Sequence, residues 1–188
     1  VLLAVLAPLL AILAFAIRLQ GGPVLYGHRR LGRGLREFRC LKFRTMRTDG
    51  DEVLARLLEA DPAARREWRE TRKLRNDPRV TRLGRLLRRT SLDELPQLIN
   101  VLRGEMSLVG PRPVVREELD QHYGPAAAAY ALVRPGITGL WQVSGRSDTT
   151  YRTRVALDTE YVMTMSLKRD FVILWRTVGV VLLGRGAV

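Results

Sequence analysis

Cysteine occurs once in the 188 residues, at Cys40. No internal disulfide can form, which suits a reducing compartment. Two histidines beside that cysteine are too few for a zinc site of ordinary spacing. Aromatic residues make up 6% and do not interleave with the basic runs, which argues against a base-stacking surface for nucleic acid. Negative charge is also scarce: 19 acidic residues face 32 basic ones, a net charge of +13. That imbalance calls for an anionic partner, whether nucleic acid, an acidic lipid surface or a phosphorylated substrate. There is no Walker loop, no glycine-rich dinucleotide fingerprint, no internal repeat and no low-complexity segment. The length fits one domain with a proper core, with room for an appended segment.

What is present begins with an uncharged run, VLLAVLAPLLAILAFAI, over residues 1–17. No basic region precedes it and no small-residue cleavage site follows, so it makes a poor signal peptide. As a straight helix it measures roughly 26 Å, short of a hydrocarbon core of roughly 30 Å. Pro8 at its middle removes a backbone hydrogen bond and favours a kink. A spanning helix lacking its upstream end, a bent re-entrant helix and a buried core helix all remain open at this point. The start at Val1 rather than methionine suggests a piece of a longer protein. Arg18 and the arginines and lysine between 29 and 47 follow, and positive charge beside an apolar segment belongs on the cytoplasmic side, against anionic headgroups.

Residues 24–26 and 38–45 alternate as strands of a hairpin, with Leu41 and Phe43 on one face and Lys42 and Arg44 on the other. Two helices are expected over 51–60 and 62–74, the second capped by Asp61 with Pro62 at its first position. A basic helix follows over 79–89, with Val80, Leu83, Leu86 and Leu87 inward. The stretch SLDELPQLINVL, residues 91–102, has the form of a capping box, Ser91 pairing with Glu94, ahead of apolar residues at helical spacing. Asp93 and Glu94 would then stand in a first helical turn, where the helix dipole favours negative charge. An ordinary acidic helix start accounts equally well for the pair in isolation. Gly104 is expected to end that helix. Pro111-Arg112-Pro113 is a stiff loop whose fixed arginine suits bidentate phosphate contact. Residues 114–130 are expected to be helical with a break at Gly124-Pro125. RPGITGLWQVSGR, residues 134–146, is a loop or irregular strand. An amphipathic helix over 149–165 and an apolar segment over 171–183 close the chain; the latter is too short to span and is expected in the membrane interface or on the core.

KFRTM, SLDELPQLINVL, GEMSLVGPRP and PGITGLWQVSGR, in this order, resemble the bacterial sugar transferase family, the monotopic polyprenyl-phosphate phosphoglycosyl transferases. The resemblance covers nearly the whole chain. YGHRRLG and the helical insert at 51–77 resemble its larger hexose-1-phosphate transferase branch, in which a separate membrane region precedes this domain. The implied fold is α+β, mainly helical with a small β-hairpin. Residues 1–19 would form a re-entrant membrane helix kinked at Pro8, and residues 20–188 a cytoplasmic catalytic domain with a C-terminal interfacial helix. Smaller members resemble Ser-Pro at the bend, whereas Ala7-Pro8 stands here. The implied reaction moves a sugar 1-phosphate from a UDP-sugar to a polyprenyl phosphate, releasing UMP, at the cytoplasmic face of a bacterial inner membrane. It would initiate exopolysaccharide, O-antigen or capsule assembly.

By resemblance, Asp93 is the nucleophile and Glu94 its partner, the two sharing Mg²⁺. A carboxylate can attack phosphorus and split one displacement into two, and Mg²⁺ suits oxygen ligands with few protein contacts. The helix terminus and neighbouring arginines would keep Asp93 ionised. Lys42, Arg88, Arg112 and Arg146 match basic positions of the family motifs and would hold phosphates, while Pro111 and Pro113 shape the nucleotide side. Membrane lipids are the expected surroundings, the larger branch implies a homodimer, and no nucleic-acid partner is expected. Two rival readings are a non-catalytic basic module for membrane surfaces or nucleic acid, and an enzyme whose carboxylates bind metal only while transfer is direct.

Overall fold

The computed structural model describes residues 2–71, 74–145 and 149–182. Helix α1, Leu2–Arg18, carries Pro8 inside it, and the paired glycines 21 and 22, both at positive φ, turn the chain away from its end. Strands β1 (Leu25–Leu31) and β2 (Glu37–Phe43) form the expected hairpin, antiparallel with Leu25 opposite Phe43 and Leu31 opposite Glu37. Helices α2 (Gly50–Ala60) and α3 (Pro62–Thr71) follow, and Asp61 Oδ1 accepts from the Ala63 and Ala64 N–H groups, as the cap requires. Then come the basic helix α4 (Arg82–Arg89) and, after a single 3-10 turn at Leu92–Glu94, the short helix α5 (Gln97–Leu102).

The second half is built from β3 (Ser107–Val109), α6 (Arg116–His122), α7 (Ala126–Leu132), β4 (Gly136–Thr138), α8 (Leu140–Val143), α9 (Tyr151–Thr164) and α10 (Leu167–Leu182). The break between α6 and α7 falls at Gly124-Pro125, as expected. The stretch 134–146, expected as a loop or irregular strand, holds β4, which pairs in parallel with β3, Ser107 opposite Gly136 and Val109 opposite Thr138. Glycine is needed at this crossing: a Cβ on Gly136 would meet the Gly110 backbone nitrogen at 2.1 Å, and one on Gly139 the Gly110 oxygen at 2.0 Å. The molecule is thus mainly helical with a small antiparallel hairpin, plus a second, parallel pair of strands. Among the described residues, no helix is long and apolar enough to cross a membrane.

Ile17 of α1, Phe43 of β2 and Leu87 of α4 share one buried cluster, so the end of the apolar helix packs on the hairpin and the basic helix. Leu86, expected inward, is 47% exposed; only Leu87 of that turn is fully covered. Gly84 lets α4 press on the strand extension, since a Cβ there would sit 2.0 Å from the Thr45 carbonyl oxygen. A second cluster joins Leu31 of β1 to Val114, Leu119, Tyr123 and Tyr130. A third joins Val109, Tyr161, Val162 and Ile173, tying α9 and α10 to β3.

The free edge of β2 is closed by a side chain. Asn100, fully buried on α5, accepts from the Leu41 N–H at 3.0 Å and donates to the Arg39 carbonyl at 2.8 Å and to Glu105 Oε2 at 2.6 Å. Its amide thereby satisfies strand groups that would otherwise be buried without partners. Asn100→Leu keeps the branched heavy-atom shape but strands these groups, and should lower unfolding free energy by about 2–4 kcal/mol in a denaturant titration. A loss below about 0.5 kcal/mol would mean that the amide is not what docks α5.

Candidate active site

The stretch over 91–102 departs from the expected capping box. Ser91 lies in the left-handed region (φ 56°, ψ 16°) and caps nothing with its side chain. Its N–H bonds to the Arg88 carbonyl, so it ends α4 rather than starting the next helix. The reason is Pro96. A helix from Ser91 would need a residue-96 N–H to bond the Leu92 carbonyl, and proline has none. That carbonyl accepts from Leu95 instead, at 3.3 Å, and Glu94 bonds back to Ser91 at 3.2 Å. Asp93 and Glu94 therefore stand on a tight turn between two helices, not in the first turn of one.

This turn packs on β2. Glu94 Oε1 accepts from Lys42 Nζ at 2.6 Å and lies 3.8 Å from an Arg112 guanidinium nitrogen. The two cations expected on one strand face part ways: Lys42 turns to Glu94, while Arg44 bonds the Ile17 carbonyl at 3.3 Å, at the end of α1. Arg88 reaches back to the strand extension, its Nε donating to Thr45 Oγ1 at 3.0 Å. Thr45 was not singled out from the sequence, although it lies inside KFRTM. Asp93 is 8% exposed. Burial pushes its carboxyl above the usual aspartate range, with Glu94 adding to the rise and Lys42, Arg88 and its own backbone N–H opposing it. The expectation that helix terminus and arginines keep it readily ionised is thus corrected: desolvation outweighs them.

Arg112 sits between two buried prolines, Pro111 and Pro113. The loop is held by the Pro111 carbonyl, which accepts from Gly136 at 2.8 Å, and by Gly110, which donates to the Thr138 carbonyl at 2.9 Å. The structure thus gathers Lys42, Arg88, Asp93, Glu94 and Arg112 from β2, α4, the 3-10 turn and the loop after β3. Arg146 lies outside the described residues.

No group of three or more histidine, cysteine or acidic side chains could hold a metal among the described residues. Asp93 and Glu94 are two adjacent hard-oxygen donors. They fit an ion such as Mg²⁺, which takes one or two carboxylates and completes its shell with water and substrate phosphate, better than one needing a full protein cage. The arrangement places a carboxyl of raised proton affinity beside two cations, Lys42 and Arg88, with Arg112 on the neighbouring Glu94, a setting for an oxygen nucleophile acting on a phosphate ester.

A family model described as "Bacterial sugar transferase" matches residues 1–184. The exopolysaccharide production protein ExoY of Rhizobium meliloti is 57% identical over 178 residues, covering 95% of this chain and 78% of that protein. The undecaprenyl-phosphate galactose phosphotransferase of Salmonella typhimurium is 51% identical over 186 residues, covering 99% of this chain but 39% of that protein. The UDP-glucose:undecaprenyl-phosphate glucose-1-phosphate transferase of Caulobacter vibrioides is 45% identical over 188 residues, covering 94% of this chain and 64% of that protein. The chain thus spans much less than the full length of some relatives.

Because the folded-state pKa of Asp93 is raised, ionising it costs stability as pH climbs from the ordinary aspartate range through the folded value. Asp93→Asn should therefore raise Tm at neutral pH, with a smaller difference in acid. Carboxyl NMR of the metal-free protein should show the Asp93 resonance titrating above those of the exposed aspartates. Titration in the ordinary range, together with a lower Tm in the variant, would contradict the burial argument.

Proposed function

The chain belongs to the bacterial sugar transferase family, and on that footing we propose that it moves a hexose 1-phosphate from a UDP-sugar to undecaprenyl phosphate. UMP is released and an aspartyl phosphosugar forms on the way. The observation that carries this reading is the buried Asp93 set among Lys42, Arg88 and the Glu94–Arg112 contact. In the first half-reaction an Asp93 oxygen forms a bond to the phosphorus that bears the sugar, while the bond from that phosphorus to the UMP oxygen breaks. In the second, a phosphate oxygen of the lipid attacks the same phosphorus and the Asp93 carboxylate leaves. The two steps replace one displacement between two anions.

The anion repulsion in such an attack is met by this chain's own cations. Arg112, stiffened by its prolines, suits bidentate contact with the diphosphate. Arg88, anchored on Thr45, and Lys42, anchored on Glu94, screen the charge on either side of Asp93. Mg²⁺ held by Asp93 and Glu94 would supply further neutralisation of the diphosphate.

The acceptor phosphate lies at headgroup depth, and the apolar surface fits a membrane-held enzyme at a cytoplasmic face. Ile12 and Phe15 of α1 are 65% and 66% exposed, and Phe171 and Trp175 of α10 are 72% and 81% exposed. Exposed aromatics of this kind favour the interface. With Pro8 inside a helix of 17 residues, α1 is suited to entering one leaflet and returning. The named activities of the Salmonella and Caulobacter relatives support galactose or glucose as the hexose.

A panel of UDP-sugars offered with undecaprenyl phosphate and Mg²⁺ tests the reading: UDP-galactose or UDP-glucose should release UMP fastest, and release from neither would overturn it. Asp93→Asn should abolish that release while the far-ultraviolet circular dichroism stays unchanged. Arg112→Lys should lose at least about tenfold in kcat/KM for the UDP-sugar, since a point charge cannot replace a planar fork. Wild-type kinetics in that variant would remove Arg112 from the diphosphate.

A further inference from the structure

Behind Arg112 lies a buried charged cluster that the proposed chemistry does not use. Asp158 on α9 is 2% exposed, and Arg154, one turn earlier, is 7% exposed. Asp158 Oδ2 accepts from the Tyr123 hydroxyl at 2.8 Å, whereas Oδ1 is buried without a hydrogen-bond partner. Burial lifts this carboxyl to about 6, with the Tyr123 hydroxyl and then the Arg154 and Arg112 charges opposing the rise. Arg154 donates to the Tyr151 hydroxyl at 3.1 Å and lies 3.9 Å from Asp158 and from Glu118. Its guanidinium stands 4.7 Å from the centre of the Trp141 ring, and that of Arg112 lies 5.9 Å from the same centre. Trp141 is itself pinned by its Nε1–H, which donates to Thr149 Oγ1 at 2.7 Å.

An arginine and an aspartate at such burial cost several kcal/mol each to desolvate, and their separation of 3.9 Å is too long for the good geometry that offsets this. A core serving stability alone would do as well with apolar residues of the same volume. We propose that the Asp158–Arg154 pair is a positioning device for Arg112: Asp158 holds the Arg154 guanidinium, and Arg154 fixes the Trp141 ring on which the Arg112 guanidinium rests. This deepens the phosphoglycosyl transfer reading and rests on it. In that reading the pair touches no substrate and acts only through Arg112.

A double-mutant cycle on UDP affinity, measured by calorimetry on the membrane-reconstituted chain, tests this. Asp158→Asn keeps volume and an acceptor oxygen but removes the charge, and should weaken UDP binding about tenfold. Arg112→Ala should weaken it by at least as much, and the double variant should bind no worse than Arg112→Ala alone, since one effect runs through the other. Arg154→Lys, which keeps charge but not the planar stack, should behave as Asp158→Asn does and covers the case in which the latter fails to fold. In turnover, both α9 variants should raise KM for the UDP-sugar far more than they lower kcat. Additive losses in the cycle, or UDP binding unchanged by either α9 variant, would overturn the proposal and leave a structural core network. If the wild-type chain binds UDP with this pattern yet releases no UMP, the transfer reading fails while the positioning of Arg112 stands.

Discussion

The Asn100 side chain supplies what a third strand would otherwise give to β2, one acceptor and one donor at the strand's open edge. Because α5 follows the acidic turn directly, this docking also fixes where Asp93 and Glu94 stand. Lys42 lies on the same strand as Leu41, the residue whose N–H Asn100 binds, and so faces Glu94 across 2.6 Å. The opposite flank is set by Gly84, whose missing side chain lets α4 approach the Thr45 carbonyl and bring Arg88 to Thr45 Oγ1. The acidic turn's place thus depends on a two-stranded sheet with an open edge and on two packing solutions that complete it.

The electrostatics follow from the same arrangement. A buried carboxyl with raised proton affinity is a better base and a costlier anion than a surface aspartate, and its ionisation must be supported from outside itself. Lys42 and Arg88 provide part of that support, and Arg112, 3.8 Å from Glu94, offsets charge on the neighbouring carboxylate. The apolar helix α1 shares a buried cluster with β2 and α4. The same strand that carries Lys42 therefore meets the segment best suited to the bilayer, and the acidic turn is held at a fixed place relative to that helix.

Much of this was legible in the residues, and the exceptions have definite causes. The hairpin followed from alternation, α3 from the Asp61-Pro62 signature, and the α6–α7 break from Gly124-Pro125. Gly104 takes the positive φ expected of a helix-ending glycine. The capping box does not form because Pro96 opposes it: a missing N–H five residues on converts a helix start into a 3-10 turn. Strand β4 falls in the stretch expected as a loop or irregular strand, and its pairing is not legible there because a three-residue parallel strand has no periodicity, only glycines where backbones cross. Asn100 is one polar residue in an apolar run, and a lone polar group on such a face is the one local signal that marks it. Lys42 and Glu94 stand 52 residues apart, and nothing local to either announces the other. Arg154 and Asp158 have the spacing of an ordinary surface pair, so only burial distinguishes them.

The central claim is that Asp93 itself bonds to phosphorus. Intact-protein mass spectrometry of the chain incubated with UDP-sugar and Mg²⁺, with no lipid acceptor, addresses it directly. The account predicts a gain of one hexose phosphate, mapped by peptide sequencing to Asp93 and discharged on adding undecaprenyl phosphate. An unmodified mass under conditions where the complete system turns over would contradict it and leave the acidic pair as metal ligands for a direct transfer.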